Sequence, residues 1–417
     1  MGPADSDPSR LCYAVGVLRR LGFLLSTGLF LTTAVPSVLS AAAPENVLVI
    51  PFSNLSSNSN LDWVGESLAV EVFETLAAEL PFVVRPEERD VILRRMNLRR
   101  YAPITAATVL EIAVNLDAVL VLSGDYEWTP ASAATRAGVK IHARLLNARK
   151  LQRVKDLEVA GDFDDLSLLQ SQLAWRVLAA LKPAGAISEQ QYLAAHPPVR
   201  LDALERYVRG LTAASYDQKY RFFSAAVHLQ PDYSGPCYQL GALYYARREY
   251  RSAVEWLAKV APADAHYHDA LFRLGLACYH TADYRSSVEA FRKLAQVTPL
   301  SEVLNNLGAA QLRAGDPQSA ASFQQAIESD PADPDYYFNA GYILFRNNSF
   351  DNAARLFEEV LARRPDDPTA AALLAHCKRA EALNRGDLNA QPLERLKENY
   401  DESAWRQLKA MLDPASQ

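Results

Sequence analysis

The sequence predicts an α/β amino-terminal domain followed by an all-α solenoid of repeated helical hairpins, wound as a right-handed superhelix. Two observations predict it. Between Asn46 and Leu181, short β-rich apolar runs alternate with segments of helical period. Beyond Arg200, Leu240-Gly241, Leu274-Gly275, Leu307-Gly308 and Ala340-Gly341 recur at intervals of 34, 33 and 33 residues, the mark of stacked repeats rather than of one core. A chain of 417 residues, 49% hydrophobic and 22% charged, has material for both parts.

The first strand is Asn46 to Phe52, closed by the polar stretch Ser53 to Asn60. From Asp62 to Leu80 the apolar residues Val64, Leu68, Val72, Leu76 and Leu80 recur every four positions, as an amphipathic helix requires. A short strand at Phe82-Val83-Val84 follows, then helices from Pro86 to about Asn97 and from Thr105 to Leu116. Ala118 to Leu122 is a buried strand, Val139 to Leu146 and Gln152 to Val159 form a hairpin, and a helix from Asp165 to Leu181 closes the unit. Asp62, Glu66, Glu71 and Glu74 have no histidine, nucleophile elbow or phosphate loop beside them, so they read as a solvated helix face. Trp63 reads as a staple at the helix start.

The amino terminus carries Arg10, Arg19 and Arg20, then an uncharged run from Leu21 to Ala43 that ends in small residues before Pro44. This is the layout of a signal peptide, or of an amino-terminal membrane anchor if it is not cut. The expected organisation is a leader at 1–43, an α/β domain at 44–182, a linker at 183–200, repeats at 201–383 with a capping helix, and a charged amphipathic helix at 384–417. The formal charge of −6 and the lack of a Lys/Arg run leave no footprint for nucleic acid. Cys12, Cys237, Cys278 and Cys377 form no CxxC pair, so neither a zinc site nor a disulfide framework is expected.

The segments VLVIPFSNLSSNSNLDWVGESLAVEVFETLA, NLDAVLVLSGDYEW and VKIHARLLNA resemble the amino-terminal domains related to TolB, FlgO and CsgG. The likeness spans roughly Asn46 to Leu181 and rests on the PFxNLS turn and the LDWxGE helix start. It implies an α/β fold and a bacterial envelope setting, and it brings no catalytic residues with it.

The repeat spacing is that of the tetratricopeptide repeat. Tyr244, Ala253, Leu257, Phe291, Phe323, Ala326, Ala353 and Phe357 stand at its packing positions, and Pro231, Pro299, Pro331 and Pro365 punctuate the helix ends. Leu204 to Tyr233 reads as a shortened first repeat, giving about five in all. The likeness implies that the first helix of each hairpin lines a concave groove. Placed on that pattern, Tyr238, Tyr245, Phe272, Tyr279, Phe338, Tyr342 and Phe345 fall in the groove, with Asn305, Arg313 and Arg346 near enough to hold backbone amides or an acidic group. The Lys and Asn set of chaperone-tail-binding relatives is not found. His266, His268, Cys278 and His280 are excluded as a shared metal site, because on one helix His268 and His280 lie about 18 Å apart.

These features predict a non-enzymatic scaffold or adaptor of the bacterial cell envelope, without cofactor or metal, that binds a protein or peptide in the groove. The alternative is a regulatory or sensory module of a signalling system. The predicted compartment is the periplasm or cell envelope.

Overall fold

The computed structural model describes residues 46–98, 104–182, 187–382 and 393–412. The expected leader at 1–43 lies outside the described residues. The described residues from Asn46 to Tyr400 form one compact unit, and the helix that follows Tyr400 is described by itself.

The amino-terminal sheet contains β1 (Val47–Val49), β2 (Ser53–Asn54), β3 (Leu120–Thr129), β4 (Gly138–Asn147) and β5 (Gln152–Asp162). Its order is β1-β3-β4-β5, with β2 also paired to β3. β1 runs parallel to β3, with Leu48 opposite Val121, and β3-β4-β5 is an antiparallel meander. Strand alternation divides the apolar residues between two faces. Val47, Val49, Leu120 and Leu122 pack under α1 (Trp63–Glu79) and α4 (Leu166–Leu181), whereas Leu48, Ile50 and Val121 pack under α2 (Pro86–Arg95) and α3 (Ala106–Asn115). Gly65 lets the start of α1 lie on the PF turn: its carbonyl accepts the Phe52 N–H at 3.1 Å, and a Cβ there would strike the Phe52 carbonyl oxygen.

Three local expectations need correction. Val83 makes one bridge to Val47 instead of a strand, because Arg85 and Pro86 start α2 immediately afterwards. The polar stretch after Phe52 contributes β2, and β3 continues seven residues beyond Leu122 to meet it and β4. The acidic residues of α1 are not a solvated face. Glu66 is buried and bonded to buried Arg89 at 2.6 Å, Glu71 accepts from Ser171 at 2.9 Å, and Glu74 lies 3.3 Å from His266. The physical reason is that α1 is enclosed by the sheet, by α4 and by the first repeats.

Within the expected linker at 183–200, the described residues 187–200 are more than a spacer. They contain α5 (Glu189–Ala195), whose buried Tyr192 hydroxyl lies 2.6 Å from Thr75 Oγ1 on α1. One continuous apolar core joins the α1/α4 face of the sheet to Leu204, Tyr207, Phe223 and Leu240 of the repeats. The α/β domain and the solenoid therefore share a core instead of being tethered.

The hairpins pair α6 (Leu201–Thr212) with α7 (Tyr216–Leu229), α8 (Ser234–Ala246) with α9 (Tyr250–Leu257), α10 (Tyr267–His280) with α11 (Tyr284–Val297), α12 (Ser301–Ala314) with α13 (Ser319–Ser329), and α14 (Pro334–Arg346) with α15 (Phe350–Arg363). A further helix, α16 (Pro368–Lys378), packs on α15. One contact recurs. A Cβ on Gly275 would come within 2.7 Å of Phe291, and Gly308 stands in the same relation to Phe323, so the small residue of the first helix seats the aromatic ring of the second. Cys237, Cys278 and Cys377 are buried free thiols, and burial pushes the first two up to about 11 and 12.

The charged helix expected at 384–417 is confined, among the described residues, to α17 (Glu402–Leu412). It starts behind Asp401, whose carboxylate accepts the Ala404 N–H at 3.0 Å as an N-cap. Residues 393–400 are in neither helix nor strand, and the chain bends at Glu398. No described helix is long and apolar enough to cross a membrane.

Candidate functional site

The first helices of successive hairpins present their side chains to one segment, Leu393 to Tyr400. Backbone recognition comes from three buried asparagines. Asn339 of α14 accepts the Arg395 N–H at 2.8 Å and donates to the Arg395 carbonyl at 2.9 Å. Two residues along, Asn306 of α12 accepts the Lys397 N–H and donates to the Lys397 carbonyl, both at 2.8 Å. Asn305 donates to the Arg395 carbonyl at 2.8 Å and accepts from Asn339 at 2.7 Å. A primary amide offers the same donor and acceptor as a peptide group. Pairing at residues i and i+2 is what a strand edge offers, so the asparagines hold the segment as a sheet would hold a strand. This pairing removes residues 395 and 397 from helical hydrogen bonding, which is why the expected helix begins only at Glu402.

The side chains meet groups of opposite charge. The Glu394 carboxylate is buried, accepting from Arg313 at 2.7 Å and from the Tyr279 hydroxyl at 3.0 Å, with Arg346 at 4.0 Å. Burial works against the Arg313 charge, but the hydrogen bond and charge of Glu394 outweigh it and hold the guanidinium above its ordinary value. Arg395 grips Asp367 through both terminal nitrogens, at 2.6 and 2.8 Å, reaches Asp335 at 3.2 Å, and lies 3.6 Å above the Phe338 ring. Lys397 sits 2.7 Å from both Asp333 and Asp335. Burial pushes the Asp335 carboxyl up, yet hydrogen bonds and charge from Lys397 and Arg364 prevail and bring it down to about 2. Glu398 accepts from the Tyr245 hydroxyl at 2.6 Å, and the Tyr400 ring lies 4.6 Å from that of Phe272.

Helix direction explains the two signs. Asp333 and Asp367 are N-caps of α14 and α16, whereas Arg313 and Arg346 lie in the last turns of α12 and α14. The first helices therefore present carboxylates at one end and guanidiniums at the other, each complementing the local helix dipole.

The family model for the tetratricopeptide repeat matches residues 305–368 and 339–404. Tetratricopeptide repeats are therefore present within this span. Tetratricopeptide-repeat structures similar to this chain include YrrB, described with an unusual peptide-binding site, at 18% identity and a TM-score of 0.39 over 43% of this chain and 92% of that one. TTC0263, a thermophilic repeat protein of Thermus thermophilus, aligns at 15% identity and a TM-score of 0.31, over 42% of this chain and 97% of its own. The pilF protein of Pseudomonas aeruginosa aligns at 16% identity and a TM-score of 0.33, over 43% and 83%. Similarity of this degree carries no argument about what the present chain binds. The curated proteins compared contain no match to it. The family match stops short of the α/β domain.

The structure distributes the sequence-selected residues of the tetratricopeptide groove unevenly. Tyr245, Phe272, Tyr279, Asn305, Arg313 and Phe338 touch the segment at 393–400, and Arg346 approaches Glu394. Tyr342 is buried beside Phe338, with Arg346 over its ring. Phe345 packs on Phe350 and His376, between repeats. Tyr238 stacks on His266 and donates to Asp269, near the junction with α1. Asn306, Asn339, Asp333, Asp335 and Asp367 complete the groove and lie outside the residues that the sequence pattern points to. A signal for them exists in the repeat register: Asn305 and Asn339 are 34 residues apart, as are Asp333 and Asp367. Among the described residues no cluster of His, Cys, Asp and Glu has the geometry to hold a metal.

Proposed function

We propose that this protein is a non-enzymatic scaffold or adaptor of the bacterial cell envelope that takes up a partner protein as an extended peptide in the groove of its repeats. Tetratricopeptide-repeat proteins are generally protein–protein interaction scaffolds. The observation that carries the reading here is the double asparagine clamp on residues 395 and 397, which recognises backbone and so admits a peptide without requiring a fold. The envelope setting rests on the leader-like run Leu21 to Ala43 and on the TolB/FlgO/CsgG resemblance of residues 46–181, with the α/β domain serving assembly or docking.

The test is crosslinking capture from envelope fractions with the intact chain and with N306A/N339A. These positions are chosen because the two amides bond the segment's backbone directly, whereas truncating the larger Phe272, Phe338 or Tyr342 would open cavities in the core. Partners lost in the double variant would support the groove as the working site, and partners unchanged would move the activity to the α/β domain. The runner-up, a regulatory or sensory module, is favoured by one observation: the groove is filled by the chain's own segment, an arrangement that makes binding conditional.

A further inference from the structure

Residues 393–400 are the chain's own sequence, yet they bond the groove's asparagines and pair with its charged residues, with Arg364 sharing Asp335 and Asp367. The three buried asparagines are paired with its backbone. Arg313 and Arg346 converge on one carboxylate, and Asp333, Asp335 and Asp367 converge on one guanidinium and one ammonium. Arg313 and Asp367 expose 7% and 4% of their side-chain surface, where an uncompensated charge is costly, and Asp333, Asp335 and Arg346 are more exposed. A site built this way discriminates. An extended peptide with neutral or reversed charges at these places would leave Arg313 without its carboxylate and leave Asp333, Asp335 and Asp367 with only Arg364, among the described residues, as a cation in reach.

Resting on the peptide-binding reading above, we propose that the groove selects partner segments of the form Glu-Arg-x-Lys in extended conformation, and that residues 393–400 are a resident competitor which such a partner must displace. The charge order follows from the groove: a carboxylate between the last turns of α12 and α14, then a guanidinium on the α16 N-cap, then an ammonium between Asp333 and Asp335. A covalently attached ligand competes at an effective concentration on the order of millimolar. With an intrinsic Kd of about 10 µM for the resident segment, a free peptide is then weakened roughly 100-fold. The apolar anchors Leu393, Leu396 and Tyr400 complete the resident segment by packing on the repeat core.

The test uses the full chain and a fluorescent, terminally capped peptide, LERLKENY. R395A/K397A removes the resident segment's two cations and leaves the groove residues intact. Displacement predicts that this variant binds the peptide at least 10-fold more tightly than the wild type. Selectivity predicts that a peptide with Arg and Lys both changed to Glu binds the variant at least 10-fold more weakly. Equal affinity for wild type and variant would overturn the competitor role. Equal affinity for the two peptides would overturn the charge selection while leaving the peptide-binding function standing. No binding of any extended peptide to the variant would overturn both. Concentration-dependent wild-type dimers that vanish in R395A/K397A would assign the groove to the segment of a second copy, and would overturn displacement by a foreign partner.

Discussion

The side-chain amide of Asn339 bonds both backbone groups of Arg395, the N–H at 2.8 Å and the carbonyl at 2.9 Å, and Asn306 repeats this on Lys397. Four backbone bonds at about 1 kcal/mol each make this clamp the largest sequence-independent hold on the segment. N306A/N339A is expected to lower the hydrogen-exchange protection of the Arg395 and Lys397 amides by roughly 100-fold or more. Protection unchanged from the wild type would show that the side chains, and not the clamp, hold the segment.

Charge burial at Glu394 gives a second expectation. R313M leaves the carboxylate buried with only Tyr279 in hydrogen-bonding range, a loss of about 3–5 kcal/mol. The segment is expected to leave the groove, read as protease cleavage within 393–400. Adding E394L removes the stranded charge, so R313M/E394L should regain much of the resistance.

The pH dependence of the two contact regions runs in opposite directions. Burial opposes the charge of His266, but Glu74, Asp264 and Asp269 prevail and raise it to about 9. Its stabilisation is complete below about pH 6.5 and is lost as the pH climbs through 9. Burial beside Glu74 raises Glu71 to about 7, which also favours the fold at lower pH and less so above 7. The junction of α1 with the repeats should therefore weaken from pH 6 to pH 9, by roughly 1–3 kcal/mol given that His266 is partly exposed. Thermal unfolding at the two values checks this, and E74Q should flatten the difference. In the groove, Asp335 is depressed to about 2, so its contribution is complete above about pH 4 and lost only as the pH falls through 2.

Within the α/β domain, Glu66 and Arg89 form a buried pair at 2.6 Å. R89M strands the carboxylate and is expected to cost about 3–5 kcal/mol in denaturant unfolding. E66L/R89M should recover most of that loss. A double variant as unstable as the single would mean that the pair's packing, not its charge, matters.

G275A tests the repeat contact. Its Cβ would meet the Phe291 ring at 2.7 Å, so a loss of about 1–3 kcal/mol is expected, relieved when Phe291 is shortened to Leu.

Local periodicity sufficed for the repeats. The Leu-Gly spacing marks where a small residue must seat a ring, and that requirement is met within each hairpin, at Gly275 with Phe291 and Gly308 with Phe323. The helix of α1 and the hairpin of β4 and β5 were legible for the same reason, since apolar period follows directly from helix and strand geometry. The fates of Glu66, Asn306 and residues 393–400 were not. A glutamate on an amphipathic helix reads as exposed until Arg89, 23 residues away, is brought to it. Leu393 to Tyr400 carries helix-forming residues, but asparagines about 56 and 91 positions distant claim its backbone groups. Sequence alone determined the elements whose hydrogen bonds and apolar faces are satisfied by near neighbours. Tertiary structure alone decided where buried charges pair and which segment fills the groove, because those energies depend on partners that only the fold places side by side.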